Sequence, residues 1–284
     1  MLGDVGDAPA VERLLSAYRP QAIFHAAAYK HVPLLEDQAH AAVVNNVFGT
    51  RVLAAAADRH GCEAFVMIST DKAVNPTNVM GASKRVAEIL CQAMQARSKT
   101  RFITVRFGNV LGSTGSVVPL FQQQIAAGGP VTVTHPEITR YFMTIPEAAQ
   151  LILQASVIGC GGEIYVLDMG EPVKIAYLAE QLILLSGKKP GADIEIVYTG
   201  LRPGEKLHEE LFYDGERLAD TAHPKILLAR SGLPDAELLD STLAMLESAC
   251  RRQDEAKIRE LLADLVPAID TARRPKTAAA RGTP

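Results

Sequence analysis

Four cysteines in 284 residues, Cys62, Cys91, Cys160 and Cys250, lie far apart and form no Cys-x-x-Cys pair. That spacing excludes a zinc-ligand pattern and a small-domain disulfide framework, so reduced thiols in a cytoplasmic protein are expected. Long apolar runs are missing too. No uninterrupted stretch approaches the roughly 20 residues that a bilayer-spanning helix needs, and the amino terminus, MLGDVGDAPAVE, is acidic with no signal-peptide core. A large excess of one charge is also absent. The formal net charge of −3 gives no reason to expect nucleic acid as a partner. What is there, 48% hydrophobic and 21% charged residues, describes an ordinary folded chain. Its length allows one large core or two modest ones.

The stretch FVMISTDKAVNPTNVMGASK, residues 65–84, organises the rest. Phe65 to Ile68 read as a buried strand of a parallel sheet. The strand ends on Ser69, Thr70, Asp71 and Lys72, where open α/β sheets bind their ligands. Asn75-Pro76 marks a loop, and Thr77 or Asn78 opens a helix that finishes near Ala96. Met80 and Lys84, four apart, share one face of that helix. Upstream, a helical pattern from Ala10 to Tyr18 precedes a strand over Ala22–His25, and a long helix is expected from about Gln38 to His60. Downstream, strands are expected over Arg101–Phe107, Val131–Pro136, Thr139–Thr144, Ile164–Leu167 and Ile194–Tyr198. Helices are expected from Ser116 to about Ala127, from Pro146, over Ile175–Leu185, Leu233–Ala249 and Asp254–Leu265. From Thr271 onward the small, basic, Pro-containing chain reads as a disordered tail.

The string STDKAVNPTNVMGASKR, residues 69–85, carries a resemblance. A strand ending in Ser/Thr, followed by Tyr-x-x-x-Lys on the next helix, is the catalytic arrangement of the extended short-chain dehydrogenase/reductases. This chain resembles them with one departure: Met80 stands where that family has its tyrosine. The whole string is similar to the nucleotide-sugar 4,6-dehydratases of polysaccharide biosynthesis. The membrane-linked, long-chain UDP-N-acetylglucosamine 4,6-dehydratases share the methionine. The similarity extends over residues 1 to about 215. It implies an α/β, Rossmann-like doubly wound parallel sheet with a smaller α/β substrate-binding lobe, NAD as cofactor, a UDP-sugar as substrate and a homo-oligomer. The NAD-binding part would span 1–113, with 142–168 rejoining it. Residues 114–141 and 169–268 would form the substrate lobe and carboxyl-terminal helices.

The resemblance also implies roles. Asp4, with Val5 beside it, would hold the adenine amino group, and Ala26, Ala27 and Ala28 would let the backbone approach the pyrophosphate. Asn46 would prop the strand ends. Lys30 and His31 would shape the sugar pocket, although a lone histidine after a strand also serves in packing. Asn109 would touch the substrate phosphates or the hexose, with Ser116 nearby. Arg140 and Arg202 would face the diphosphate, and Glu205 would accept from ribose hydroxyls. An arginine on the surface and a turn plus helix cap are the alternatives for Arg140 and for the 201–207 stretch.

Eliminating water across C5 and C6 of a hexose needs an acidic C5 hydrogen, which oxidation at C4 supplies. By resemblance Lys72 is the base at C5, Asp71 the acid at the C6 oxygen, Thr70 a partner of the C4 oxygen and Lys84 the holder of the nicotinamide ribose. Met80 transfers no proton. A dinucleotide fold should open on a glycine-rich turn, yet no Gly-x-x-Gly-x-x-Gly precedes residue 26, and Gly112-Ser113-Thr114-Gly115 does not open a first βαβ unit. At least one such unit is therefore expected upstream. Any membrane association would come through that region. Without it, a bare sheet edge and poor solubility are expected. Two readings compete with the dehydratase: a nucleotide-sugar 4-epimerase or reductase, and a non-catalytic nucleotide-sugar-binding module.

Overall fold

A computed structural model of the protein describes residues 1–213, 216–230 and 236–271. From the amino end run α1 (Ala8–Tyr18), β1 (Ala22–His25), α2 (Val32–Glu36), α3 (Ala39–Ala42), α4 (Gly49–Arg59), β2 (Ala64–Ile68), α5 (Val79–Gln95), β3 (Arg101–Arg106) and β4 (Asn109–Val110). Next come α6 (Val117–Ala126), β5 (Val131–Val133), β6 (Thr139–Arg140), β7 (Phe142–Met143), α7 (Ile145–Ile158), β8 (Ile164–Leu167), β9 (Val173–Lys174) and α8 (Ile175–Leu185). β10 (Ile196–Tyr198), β11 (Arg217–Asp220), β12 (Ile226–Arg230), α9 (Ala236–Arg251), α10 (Glu255–Leu265) and α11 (Ala268–Thr271) complete the order.

Six strands form the main sheet in the order β1-β2-β3-β8-β12-β11. The first four are parallel, with Phe65 opposite Ile23 on one side and Phe102 on the other. β12 and β11 add an antiparallel extension, Ile226 opposite Leu167. Alternate side chains of β2 and β3 enter different cores: Phe65, Met67 and Phe102 join one apolar cluster, while Val66, Ile103 and Val105 join another against α7. Burial on both faces explains why these strands read as unbroken apolar runs. β1 lies at the sheet edge, where Phe24 is exposed.

A second, smaller core gathers Phe121 and Ile125 of α6, Val131 and Val133 of β5, and Ile175, Ala179 and Ile183 of α8. It shares no residue with the clusters of the main sheet and is built from stretches that the sequence assigns to a substrate lobe. Helices α9 and α10, grouped with that lobe in the sequence reading, pack elsewhere. Leu239, Leu243, Leu246, Ile258 and Leu262 join Val86, Leu90 and Met94 of α5 in the large core. Polar contacts fix them there, because the Glu255 carboxylate accepts from the Ala39 and His40 amides at 2.8 and 3.1 Å and so caps α3. The tail expected from Thr271 lies outside the described residues from 272 onward.

The long helix expected over 38–60 is interrupted. Residues Val43–Phe48 form a π-helical segment between α3 and α4, a device that re-aims side chains by one extra residue per turn. It turns Asn46 inward. Among the described residues no helix is long and apolar enough to cross a membrane. All four thiols are free, and Cys62, Cys91 and Cys250 are buried.

Candidate active site

β2 ends at Ile68, and the chain beyond it still follows β3. The Ser69 amide donates to Val105 O at 2.8 Å and the Asp71 amide to Phe107 O at 3.1 Å, which carries the chain along the end of β3. Asp71–Ala73 then make a single 3₁₀ turn, with the Lys72 amide donating to Thr70 Oγ1 at 3.4 Å. α5 starts where the Asn78 side chain accepts from the Gly81 amide at 2.8 Å, an N-cap of the usual kind. Gly81 is there for space: a Cβ at that position would stand 2.0 Å from the Lys72 carbonyl oxygen. Any other residue would drive the helix and the turn apart.

A cleft of about 450 Å³ opens at the carboxyl ends of the parallel strands. Ala26, Ala28, Lys30 and His31 line it from the β1 side, Thr70, Lys72, Met80 and Lys84 from the turn and α5, and Asn109, Ser116 and Arg202 from beyond β3. Most residues singled out from the sequence thus meet in one place. The His31 ring lies against Gly115, where a Cβ would approach within 2.5 Å. Ser116 contributes a buried hydroxyl with no hydrogen-bond partner.

Other candidates stand outside the cleft. Asp4 accepts from the Gly6 amide at 2.8 Å in the turn before α1, and Val5 packs on Gly49. Ala27 is exposed and does not line the cleft. Asn46 sits behind the wall as a brace, its Oδ1 accepting from the Tyr29 amide at 2.8 Å and its Nδ2 donating to Tyr29 O and Ser83 Oγ, both at 3.0 Å. Asp71 is fully buried beneath Lys72 and is not part of the lining. Its Oδ1 accepts from Thr70 Oγ1 at 2.9 Å and Lys72 Nζ at 3.0 Å, while Oδ2 has no partner. Arg140 is also buried, donating to the carbonyls of Thr139, Lys206 and Leu207 and lying 3.4 Å from the Glu205 carboxylate. It lines a smaller pocket of about 160 Å³ beside the cleft, together with Lys72, Arg202, Glu205 and Glu209. Glu205 accepts from Thr134 Oγ1 at 3.2 Å and the Arg202 amide at 3.1 Å.

The two cleft lysines are opposite in character. Lys84 Nζ donates to Ile68 O at 2.7 Å. Burial pushes its ammonium down to about 8, with Glu88 one helical turn away pulling back upward. Burial also works against the Lys72 ammonium, but Asp71 and Glu209 outweigh it and hold the net shift upward, with Arg140 opposing them.

Behind the site runs a buried ionic network that nothing in the local sequence announced. Ser69 Oγ donates to Glu88 Oε1 at 2.6 Å, and the Arg106 guanidinium forks onto both Glu88 oxygens at 2.8 and 2.7 Å. Arg106 reaches Glu216 at 2.9 Å as well, and Arg85 reaches Glu88 at 2.9 Å. Desolvation would raise the Glu88 carboxyl, but Arg106 and Arg85 reverse that and hold it down at about 2. Among the described residues no cluster of His, Cys, Asp and Glu suits a metal ion.

Parallel strands with a cleft at their carboxyl ends define a Rossmann-like α/β protein. Comparison with known proteins narrows the class. The chain belongs to the family described as polysaccharide biosynthesis protein, whose profile matches residues 1–231. It is 56% identical over 227 residues to the capsular polysaccharide biosynthesis protein CapD of Staphylococcus aureus, covering 80% of this chain and 38% of that one. It therefore spans well under half the length of that curated relative. The X-ray structure of Pen from Bacillus thuringiensis matches with 34% identity and a TM-score of 0.75, covering 83% of this chain and 72% of that one. A crystal structure of a double mutant of DesIV, a dTDP-glucose 4,6-dehydratase from Streptomyces venezuelae with NAD and DAU bound, has a TM-score of 0.66 at 24% identity. That match covers 74% of this chain and 69% of the other and shows the shared fold.

Proposed function

We propose that this chain carries the active site of a UDP-N-acetylglucosamine 4,6-dehydratase of polysaccharide biosynthesis, acting in the cytoplasm as a homo-oligomer with NAD as cofactor. One observation carries the reading: Thr70, Lys72, Met80 and Lys84 face a single cleft, with Asp71 directly beneath Lys72. The cleft suits the nicotinamide end of the cofactor. Ala26 and Ala28 leave clearance at the end of β1, and the buried, unpartnered Ser116 hydroxyl offers a polar contact. NAD+, when bound, supplies the hydride acceptor for C4 and the donor that later reduces C6.

The chain's own groups do the rest. Lys84, whose ammonium burial pushes down to about 8, holds the nicotinamide ribose. Thr70 bonds the C4 oxygen, and Lys72 takes the proton from C5 once a C4 ketone can delocalise the electron pair. Asp71 first takes the proton that Lys72 Nζ shares with its Oδ1 at 3.0 Å, which leaves Lys72 as the neutral base, and then gives that proton to the C6 oxygen as the C6–O bond breaks. Lys30, His31, Asn109 and Arg202 surround the sugar diphosphate, Arg202 offering a planar fork for two phosphate oxygens. Arg140 and Glu205 act from the neighbouring pocket, as a clamp on residues 204–207 that keeps Arg202 at the rim.

Proton NMR of the chain with UDP-N-acetylglucosamine and NAD+ in deuterated water tests the proposal. A 4-keto-6-deoxy product with deuterium at C5 is expected. A nucleotide-sugar 4-epimerase is the second reading, favoured by the burial of Asp71 away from the cleft. Inversion at C4 with protium retained at C5 would replace the dehydratase with it. Binding of UDP without NAD or turnover would leave a binding module.

A further inference from the structure

Three acceptors surround the Lys72 ammonium, and one comes from a distant part of the chain. Asp71 Oδ1 lies at 3.0 Å, Asn109 Oδ1 at 3.3 Å and Glu209 Oε1 at 3.6 Å. The Glu209 side chain is 4% exposed, and its second oxygen, Oε2, has no hydrogen-bond partner. Leaving a buried charged acceptor unmatched costs on the order of 1–3 kcal/mol or more, so such a group calls for an explanation.

Its placement is not accidental. The segment that carries Glu209 is fastened repeatedly to the loop that carries Lys72. Thr77 Oγ1 and Asn78 Nδ2 donate to Gly204 O at 2.9 and 3.0 Å, Lys206 Nζ donates to Val74 O at 3.0 Å, and Tyr213 Oη donates to Ala73 O at 2.7 Å. Anchors on both sides of Glu209 therefore hold its carboxylate over the turn. Arg140 Nε, 3.8 Å from the same Oε1, is the counter-charge on its far side.

We infer that Glu209 is a positioning residue for Lys72: it aims the amine, and it offsets the charge on the ammonium that forms when Lys72 accepts a proton. The role rests on the proposed dehydration only for its substrate. In that reaction the C5–H bond breaks, the N–H bond forms on Lys72, and the electron pair left on C5 passes into the C4 ketone as an enolate. Glu209 then faces the new positive charge. The charged groups packed around Lys72 are Asp71 from its own turn, Glu209 from the 204–210 segment and Arg140 from β6; Asn109 from β4 is neutral. Removing one of the two carboxylates should lower the proton affinity of the amine.

The test compares wild type, Glu209→Gln, Glu209→Asp and Glu210→Gln in the full chain, each checked for folding by thermal melting. Only the neutral amine is acetylated, so the pH dependence of Lys72 labelling, read by mass spectrometry, reports its titration without turnover. The Lys72 midpoint should fall by about 1 unit or more in Glu209→Gln. Glu209→Asp should restore most of the shift, and Glu210→Gln, which pairs with Lys206 and Asn75 instead, should not move it. With UDP-N-acetylglucosamine and NAD+, the limb of the kcat profile assigned to Lys72 should move to lower pH by the same amount. An unchanged labelling midpoint in a folded Glu209→Gln protein overturns the inference and leaves the dehydratase standing. A shifted midpoint with no C5 exchange in wild type sinks the dehydratase and leaves the positioning role intact.

Discussion

Lys72 and Lys84 face one cleft, yet their surroundings were built by different means. Lys84 stands on α5 against the end of β2, where among the described residues the Ile68 carbonyl is its one hydrogen-bond acceptor, and its ammonium is pushed down to about 8 by burial. Lys72 stands on a turn enclosed by two carboxylates and an amide, and its net shift is upward. The same side chain leans toward the neutral amine on one wall and toward the ammonium on the other. Proton affinity here follows from which elements pack around a residue, not from the residue type.

The comparison breaks most severely through the network beneath both walls. Replacing Glu88 by Gln leaves the buried Arg106 with one carboxylate partner fewer. It should destabilise the protein by roughly 3–5 kcal/mol, measured by urea denaturation. The same change removes the charge that lifts Lys84, so the Lys84 amine should titrate still lower.

A methyl group separates the walls next. Gly81→Ala forces α5 off the Lys72 carbonyl, and a displacement of that order should reduce kcat by about 100-fold. Circular dichroism should show the fold retained, since overpacking costs on the order of 1–3 kcal/mol. A kcat within a factor of two of wild type would mean that the turn tolerates movement.

Lys84 itself provides a gentler probe. Its folded value lies below the ordinary 10.5, so between about pH 8 and 10.5 the unfolded chain binds more protons than the folded one. The Lys84 contribution to stability should therefore rise with pH across that window, by about 1 kcal/mol per pH unit, against the opposite slope of the Cys91 and Cys250 thiols, which burial pushes up to about 12 and about 11. Lys84→Met should remove that slope, which paired denaturation series at pH 8 and 10 would reveal. Smallest of all, Lys225→Ala breaks a largely exposed pair with Glu147. It should leave the urea midpoint within error of wild type, as solvent screens an exposed pair, and leave both lysines unaffected.

Much of the site was legible in the sequence because its signals are local. The apolar run ending in Ser-Thr-Asp-Lys, the Asn78 cap and the four-residue spacing of Met80 and Lys84 each depend on neighbours within a turn or two. Less legible were features that depend on distant packing. No local pattern marks Gly81, because the Lys72 carbonyl that a Cβ would strike comes from the preceding turn. Glu209 carried only a four-residue spacing from Glu205, in a stretch that forms no helix. Arg140 reads from sequence as a phosphate ligand, but its burial among the Thr139, Lys206 and Leu207 carbonyls is a property of the 201–210 segment folding back over β6.

Local sequence is enough to place the parallel strands, the cleft at their carboxyl ends and most of the side chains that line it. Periodicity, caps and strand-end polarity are short-range consequences of backbone geometry. Only the tertiary structure makes β12 and β11 extend the sheet, packs α9 and α10 on α5, and brings Glu209 and Arg140 together beside Lys72. Those contacts join residues far apart in the chain, where the free energy lies in burial and charge pairing that no local pattern encodes.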